Sequence, residues 1–260
     1  MTYPFIISLP HCAGQVPREI APLLNLSREE IHDSVDHGTL EIFSSLPVSK
    51  VIIAKWNRIF CDLNRNPESR GPKGLIARTD YDGREIFKPG MYPDEPTIKH
   101  YIDLYYRPYH EALTTVLHDP AIKGLFDCHS LNGVGPLDAP DAGKMRRDVI
   151  ISNNGAPNGG AHQALGEPTC PVEILEVVKN AFSRVGFSVA INQPYTGGFI
   201  TVHYGKRLIK RGGFALQIEM NQNLYLDPDT ALCDPEMTKA VSRKVHEAFD
   251  EIASGIHRYF

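Results

Sequence analysis

The sequence has no apolar run that approaches the roughly 18 residues of a membrane-spanning helix, so no membrane partner is expected. Its start, Met1 to Pro10, lacks both the basic opening and the apolar length of a secretory signal. The five cysteines, Cys12, Cys61, Cys128, Cys170 and Cys233, are odd in number and scattered, with no CxxC pair. That pattern argues against a disulfide scaffold and a cysteine-based structural zinc site, and it suits a reducing, cytoplasmic compartment. Positive charge is not in excess. The 27 Lys and Arg residues stand against 31 Asp and Glu, a net charge of -4, so no nucleic-acid footprint is expected. The glycine patterns of dinucleotide and nucleoside-triphosphate loops are missing, as are GxSxG, HExxH and HxxE. No repeat and no low-complexity tail is present.

With those classes set aside, 260 residues at 42% hydrophobic and 22% charged are ordinary soluble usage, and a single domain over residues 1–260 is expected. Strands are read at Phe5–Pro10, Val51–Ala54, Gly124–Ser130, Asp148–Ser152, Phe187–Asn192, Phe199–His203 and Phe214–Met220. Helices are read from about Ser27, where Ser27 and Glu30 form a capping pattern, and at Glu95–Leu117, Pro171–Val185 and Pro235–Tyr259. Two long turn-rich segments, Asn64–Pro96 and Asn153–Pro171, are read as loops. The alternation predicts an α/β domain with a mixed sheet flanked by helices on both faces. Ligands in such sheets bind beyond the carboxyl ends of strands. Several strands here end in reactive side chains: His11, Asp127 with His129, and Glu219.

Two imidazoles and a carboxylate would make a zinc site with an open position, and His11 and His129 are the candidates among 11 histidines. Each taken alone is as readily a hydrogen-bonded loop residue. Asp33 and Asp36 are candidate acids near a helix end, with Asp33 the more readily solvated of the two. Asn64-Arg65, after a buried strand, suits a substrate carboxylate, although an Asp62–Arg65 ion pair bracing a loop explains it equally well. Glu219, flanked by apolar residues on a strand, suits a general base if it is desolvated, or an edge position facing water. Cys128 and His129, adjacent on a strand, point to opposite faces, which excludes a thiol–imidazole pair.

Several of these segments, in order, resemble the N-formylglutamate amidohydrolase family. They are Ser8-Leu9-Pro10-His11 with Gly14 and Pro17, Asp36, Arg58 through Asp62-Leu63-Asn64-Arg65, Arg107-Pro108-Tyr109-His110, and Asp127-Cys128-His129-Ser130. Arg147-Asp148, Asn192-Gln193-Pro194-Tyr195-Thr196-Gly197-Gly198 and Gln217-Ile218-Glu219-Met220-Asn221 with Leu224-Tyr225 complete the set. The resemblance implies a fold similar to zinc-dependent carboxypeptidases and one divalent metal, zinc. It implies His11, Asp36 and His129 as metal ligands, with Asp127 as the alternative acid or as a residue that orients a ligand. It implies Glu219 as general base, Arg58 at the developing oxyanion, Asn64 and Arg65 on the substrate α-carboxylate, and Tyr195 as a further donor. The implied partner is a small-molecule N-acyl amino acid, foremost N-formyl-L-glutamate, an intermediate of histidine breakdown, cleaved to formate and L-glutamate. Another N-acyl amino acid, a small peptide or a non-catalytic binding role fits the same machinery. The basic run Lys206, Arg207, Lys210 and Arg211 is read either as a site for the substrate's side-chain carboxylate or as a solvated turn between two strands. Cys12 and Cys128, beside the proposed ligands, are expected to line the site's walls without acting as nucleophiles.

Overall fold

A computed structural model describes residues 2–260. Six strands form one mixed sheet: β1 (Tyr3–Leu9), β2 (Val48–Ile53), β3 (Gly124–Leu131), β4 (Val149–Ser152), β5 (Val189–Ile191) and β6 (Phe214–Asn221), in the order β2-β1-β3-β6-β4-β5. The first four strands in that order run parallel. β4 runs antiparallel to β6, and β5 follows β4 in direction.

Helices cover both faces. On one side α2 (Thr39–Phe43), α5 (Val172–Arg184) and α7 (Pro235–Ile256) close over Phe5, Ile7, Leu9, Phe126, Phe214, Leu216 and Ile218. On the other, α3 (Glu95–Tyr101), α4 (Arg107–Leu117) and α6 (Phe199–Ile209) cover Ile6, Leu125 and Ala215. The alternation is the pleat: odd residues of β1 and even residues of β3 and β6 face the first layer, their neighbours the second. A further short helix, α1 (Arg28–His32), starts at the expected capping box, in which Ser27 accepts from the Glu30 amide and Glu30 accepts from the Ser27 amide. Asp94 and Asp234 cap α3 and α7 with the side chain alone, accepting from the Thr97 and Met237 amides, each contributing about 1 kcal/mol. A π-helical turn at Ile102–Tyr106 joins α3 to α4, so 95–117 runs as the long helix the spacing predicts. The turn-rich segment from Asn64 to Asp94 carries no α-helix or strand of its own.

One expectation fails. Phe199–His203 is the start of a helix, not a strand. Five residues rich in branched and aromatic side chains resemble a strand, but the buried set Ile200, Tyr204 and Leu208 recurs every fourth residue, beyond that window. Gly205 belongs to the same stripe. A Cβ there would lie 2.5 Å from Thr169 Cβ, so only glycine lets the helix sit this close to the sheet. No helix among the described residues is long and apolar enough to cross a membrane, and all five cysteines are free.

Candidate metal and catalytic site

The floor of the site follows from strand alternation. Leu125, Asp127 and His129 share one face of β3, and Ala215, Gln217 and Glu219 share the same face of β6. The parallel register sets Asp127 beside Gln217 and His129 beside Glu219. Along this face the row is apolar at the start of each strand and polar toward its carboxyl end. Ser8 of β1 extends the polar row beside Asp127.

His11 lies just beyond β1. Its carbonyl accepts from the Asp36 amide at 3.0 Å, which ties the loop bearing one residue to the loop bearing the other. The Asp36 turn continues through Gly38 at φ 76°, where a Cβ would stand 2.4 Å from the Tyr225 ring. The Tyr225 hydroxyl in turn donates to the His37 carbonyl at 2.8 Å. A left-handed backbone packed under an aromatic ring requires glycine.

The two histidines are held alike. His11 Nε2 lies 2.7 Å from Asp62 Oδ1, and His129 Nε2 lies 3.1 Å from Asp127 Oδ2. Both rings turn Nδ1 toward Asp36 Oδ2, at 3.4 Å from His11 and 2.8 Å from His129. One ligand atom from each of His11, Asp36 and His129 therefore lies within 4.8 Å of the others, and all three residues are buried. His11 Nδ1 makes no hydrogen bond despite its proximity to Asp36. An unmet buried polar atom costs about 1–3 kcal/mol. Two imidazole nitrogens and a carboxylate, with both far nitrogens oriented by acids, fit a divalent cation, and a cation would satisfy the orphaned atom.

The surrounding groups are set to keep charge here. Asp62 also accepts from Arg58 Nη2 at 2.6 Å and lies 3.6 Å from Arg65 Nε. Burial opposes its ionisation, yet Arg58 and His11 hold its carboxyl well below the usual range. Burial likewise opposes charge on His129, but Asp127 and Asp36 on either side raise its pKa well above that of a free imidazole. Asp127, fully buried, accepts from Ser8 Oγ at 2.7 Å, and Ser8 meets the Tyr109 hydroxyl at 2.9 Å. Glu219 is pushed up to about 8, chiefly by burial, with Asp36 and Asp127 adding to the rise against His129 and Arg58. Gln217 Nε2 donates to Glu219 Oε1 at 2.8 Å, while its own Oε1 accepts from the Gly198 amide at 2.6 Å.

These residues open onto a cavity of about 200 Å³. Arg58, Arg65 and Tyr81 line one flank, and Arg146, Tyr195 and Gly197 the other. Every residue expected from the sequence to bind the metal, bind substrate or act on it lines the cavity except Asp127, which lies beneath, close to His129. Asn64 reaches the cavity with its amide already engaged. Its Oδ1 accepts from the Ile200 amide at 2.8 Å, and its Nδ2 lies 3.0 Å from His129 Nε2 and 3.3 Å from Asp127 Oδ2. That geometry suits bracing the site. The 63–65 segment is itself anchored by His110, whose Nε2 donates to the Leu63 carbonyl at 2.9 Å.

Other expectations narrow or change. Lys206 and Arg207 lie in the last turn of α6 and Lys210 and Arg211 in the turn that follows it; all four are exposed and none lines the cavity, as the solvated alternative has it. Cys128 faces the apolar layer on the opposite side of the sheet, and Cys12 packs beside the core; neither lines the cavity. Burial holds the Cys128 thiol well above its usual pKa, so it stays protonated. Asp33 is exposed beside Arg84, as a solvated acid would be. Sequence reasoning missed Asp62 as the acid behind His11, Gln217 behind Glu219, and Arg146. Gln217 was discoverable, since it stands two residues before Glu219 on a strand and so shares its face. Arg146 carries no such pattern.

The sequence model described as N-formylglutamate amidohydrolase matches residues 3–226. An N-formylglutamate deformylase of Pseudomonas aeruginosa is 28% identical over 272 aligned positions, covering 98% of this chain and 95% of the relative. One from Pseudomonas putida is 26% identical over 273 positions, again covering 98% and 95%. Among solved structures, N-formylglutamate amidohydrolase from Ralstonia eutropha JMP134 superposes with a TM-score of 0.78 at 19% identity, covering 99% of this chain and 95% of that one. The product of a gene of Agrobacterium tumefaciens gives 0.70 at 18% identity, covering 97% and 90%. At these identities the two structures bear on the fold alone.

Proposed function

This chain belongs to the N-formylglutamate amidohydrolase family, and from that premise we propose that it is a zinc-dependent hydrolase that cleaves N-formyl-L-glutamate to formate and L-glutamate. The observation that carries the reading is the convergence of two acid-braced histidines on Asp36, with a protonatable Glu219 alongside. His11 Nδ1, His129 Nδ1 and an Asp36 oxygen would hold the cation. When bound, zinc supplies a Lewis acid and makes hydroxide accessible near neutral pH.

The chain's own groups do the rest. Asp62 and Asp127 keep both imidazoles turned so that Nδ1 faces Asp36. A divalent charge nearby favours the ionised form of Glu219, which then accepts a proton from the attacking water and returns it to the departing amine. Arg58, anchored through one edge to Asp62, leaves its charge beside the cavity to stabilise the developing oxyanion. Arg65, with its side chain 43% exposed and only loosely held by Asp62, receives the α-carboxylate. Asn64 holds His129, Asp127 and the start of α6 in register. The five free thiols are consistent with a reducing compartment such as the cytoplasm.

The test is metal analysis and formate release measured on one preparation, across a panel of N-formyl, N-acetyl and dipeptide substrates. Stoichiometric zinc and fastest turnover of N-formylglutamate are expected. Full activity after complete chelation would overturn the metal assignment. Preference for another acyl amino acid would overturn the substrate.

A further inference from the structure

The proposed reaction leaves one cavity-lining cation without a task. Arg146 is enclosed, its side chain only 3% exposed, yet it borders the cavity. Asp141 grips it from behind through two hydrogen bonds, Nε to Oδ2 at 2.8 Å and Nη2 to Oδ1 at 2.7 Å. Nη1 donates to the Asn132 carbonyl at 3.2 Å, and Nη2 donates to the Tyr195 hydroxyl at 3.2 Å. Of the five N–H donors of a guanidinium, one on Nη1 is left over. The Tyr195 hydroxyl, already an acceptor, has a proton with no acceptor among the described hydrogen bonds. An anion in the cavity would take both.

Topology places this pair opposite the other arginines. In the order β2-β1-β3-β6-β4-β5, the segments bearing His11, His129 and Glu219 occupy the middle. Arg58 and Arg65 follow β2 on one flank, and Arg146 precedes β4 on the other. The cavity is thus walled by guanidinium groups from two sides, each backed by its own carboxylate, Asp62 or Asp141. A monocarboxylate needs only one of them. The basic run at the end of α6, the other candidate for a second carboxylate, lies outside.

We infer that Arg146, presenting Tyr195, is the specificity-determining residue that reads the side-chain carboxylate of a dicarboxylic N-acyl amino acid, while Arg65 holds the α-carboxylate. The inference rests on the amidohydrolase reading and deepens it. Asp141 fixes the guanidinium plane before the substrate arrives, so little ordering is lost on binding. An uncharged amide in place of the side-chain carboxylate forfeits the charge-assisted part of the contact.

The experiment compares wild type, Arg146→Met and Arg146→Lys, all zinc-loaded, on N-formyl-L-glutamate and N-formyl-L-glutamine. Calorimetry of glutarate and its monoamide runs alongside on the same preparations. The wild type should prefer the dicarboxylate. In Arg146→Met, kcat/KM for N-formylglutamate should fall about 10- to 100-fold, mostly through KM, while the value for N-formylglutamine changes by less than about threefold. Arg146→Lys keeps the charge against Asp141 and should lie between the two, which guards against simple unfolding. An unchanged ratio between the substrates, or an equal fall on both with the thermal midpoint intact, would overturn the assignment. If the wild type cleaves neither substrate, the hydrolase reading falls, and the calorimetry then decides Arg146 alone. A preference for glutarate that disappears in Arg146→Met supports it, and the lack of such a preference refutes it.

Discussion

The two faces of β3 and β6 are the same strands put to opposite uses. On one face Phe126, Cys128, Leu216, Ile218 and Met220 are at most 1% exposed and pack on α2, α5 and α7. On the other, after Leu125 and Ala215, the pleat presents Asp127, His129, Gln217 and Glu219, also buried but polar. Burial stabilises the first face. It costs free energy on the second unless every group is paired, and the pairing there is nearly complete, with His11 Nδ1 the unmet atom. The difference teaches that stability and chemistry need not be divided between core and loop; here they divide by alternate residues. The apolar face fixes the backbone whose other side positions charges that would not gather unaided.

The sharpest way to break the comparison is on the polar face. Glu219→Gln should lower kcat about 10²- to 10⁴-fold with zinc still bound, read by steady-state kinetics beside metal analysis. Full activity in that variant would remove Glu219 as the base. On the apolar face, Phe126→Ala should cost about 3–5 kcal/mol of stability in denaturant unfolding, while turnover per folded, zinc-loaded molecule stays near wild type. A turnover collapse in the folded fraction would mean the faces are not separable. Asp62→Asn probes the brace behind one ligand, and competition with a chelator should show zinc affinity weaker by about 10- to 100-fold.

A subtler effect concerns pH in the metal-free protein. Glu219 titrates near 8 when folded against an ordinary 4.5, so the folded state keeps a proton that the unfolded chain has released. Its contribution to stability therefore falls as pH rises from about 4.5 to about 8. In Glu219→Gln that decline is absent, and the midpoint advantage of the variant over wild type should be larger at pH 8.5 than at pH 5 in chelated samples. An advantage independent of pH would contradict a raised pKa. The smallest effect belongs to Cys128→Ala, which should cost about 1 kcal/mol and leave activity unchanged, since the thiol faces away from the cavity.

Much of this was legible along the chain. Polar residues at strand ends, such as His11 and the row Asp127-Cys128-His129, are read directly from the pleat, because alternation is a local property. The capping box at Ser27 and the long helices are local too, set by side chains within a few residues. Phe199–His203 was misread because its helical stripe becomes visible only when Tyr204 and Leu208 are counted with it. The engagement of Asn64 and the choice between the two readings of the basic run after Gly205 were not legible for another reason: a donor's availability depends on what else touches it, and that is a matter of packing.

The sequence by itself determined the mixed α/β architecture, the end of the sheet where chemistry would lie, and the residue types available for it. Only the tertiary structure decided which of those residues meet. Asp36 meets His11 and His129 through a loop contact between segments far apart in the chain, and Asp62 stands behind His11. Arg146 reaches the cavity from a loop with no pattern of its own. The physical reason is range: backbone periodicity acts over a few residues, whereas electrostatic pairing in a buried site acts over a few ångströms, whatever the distance along the chain.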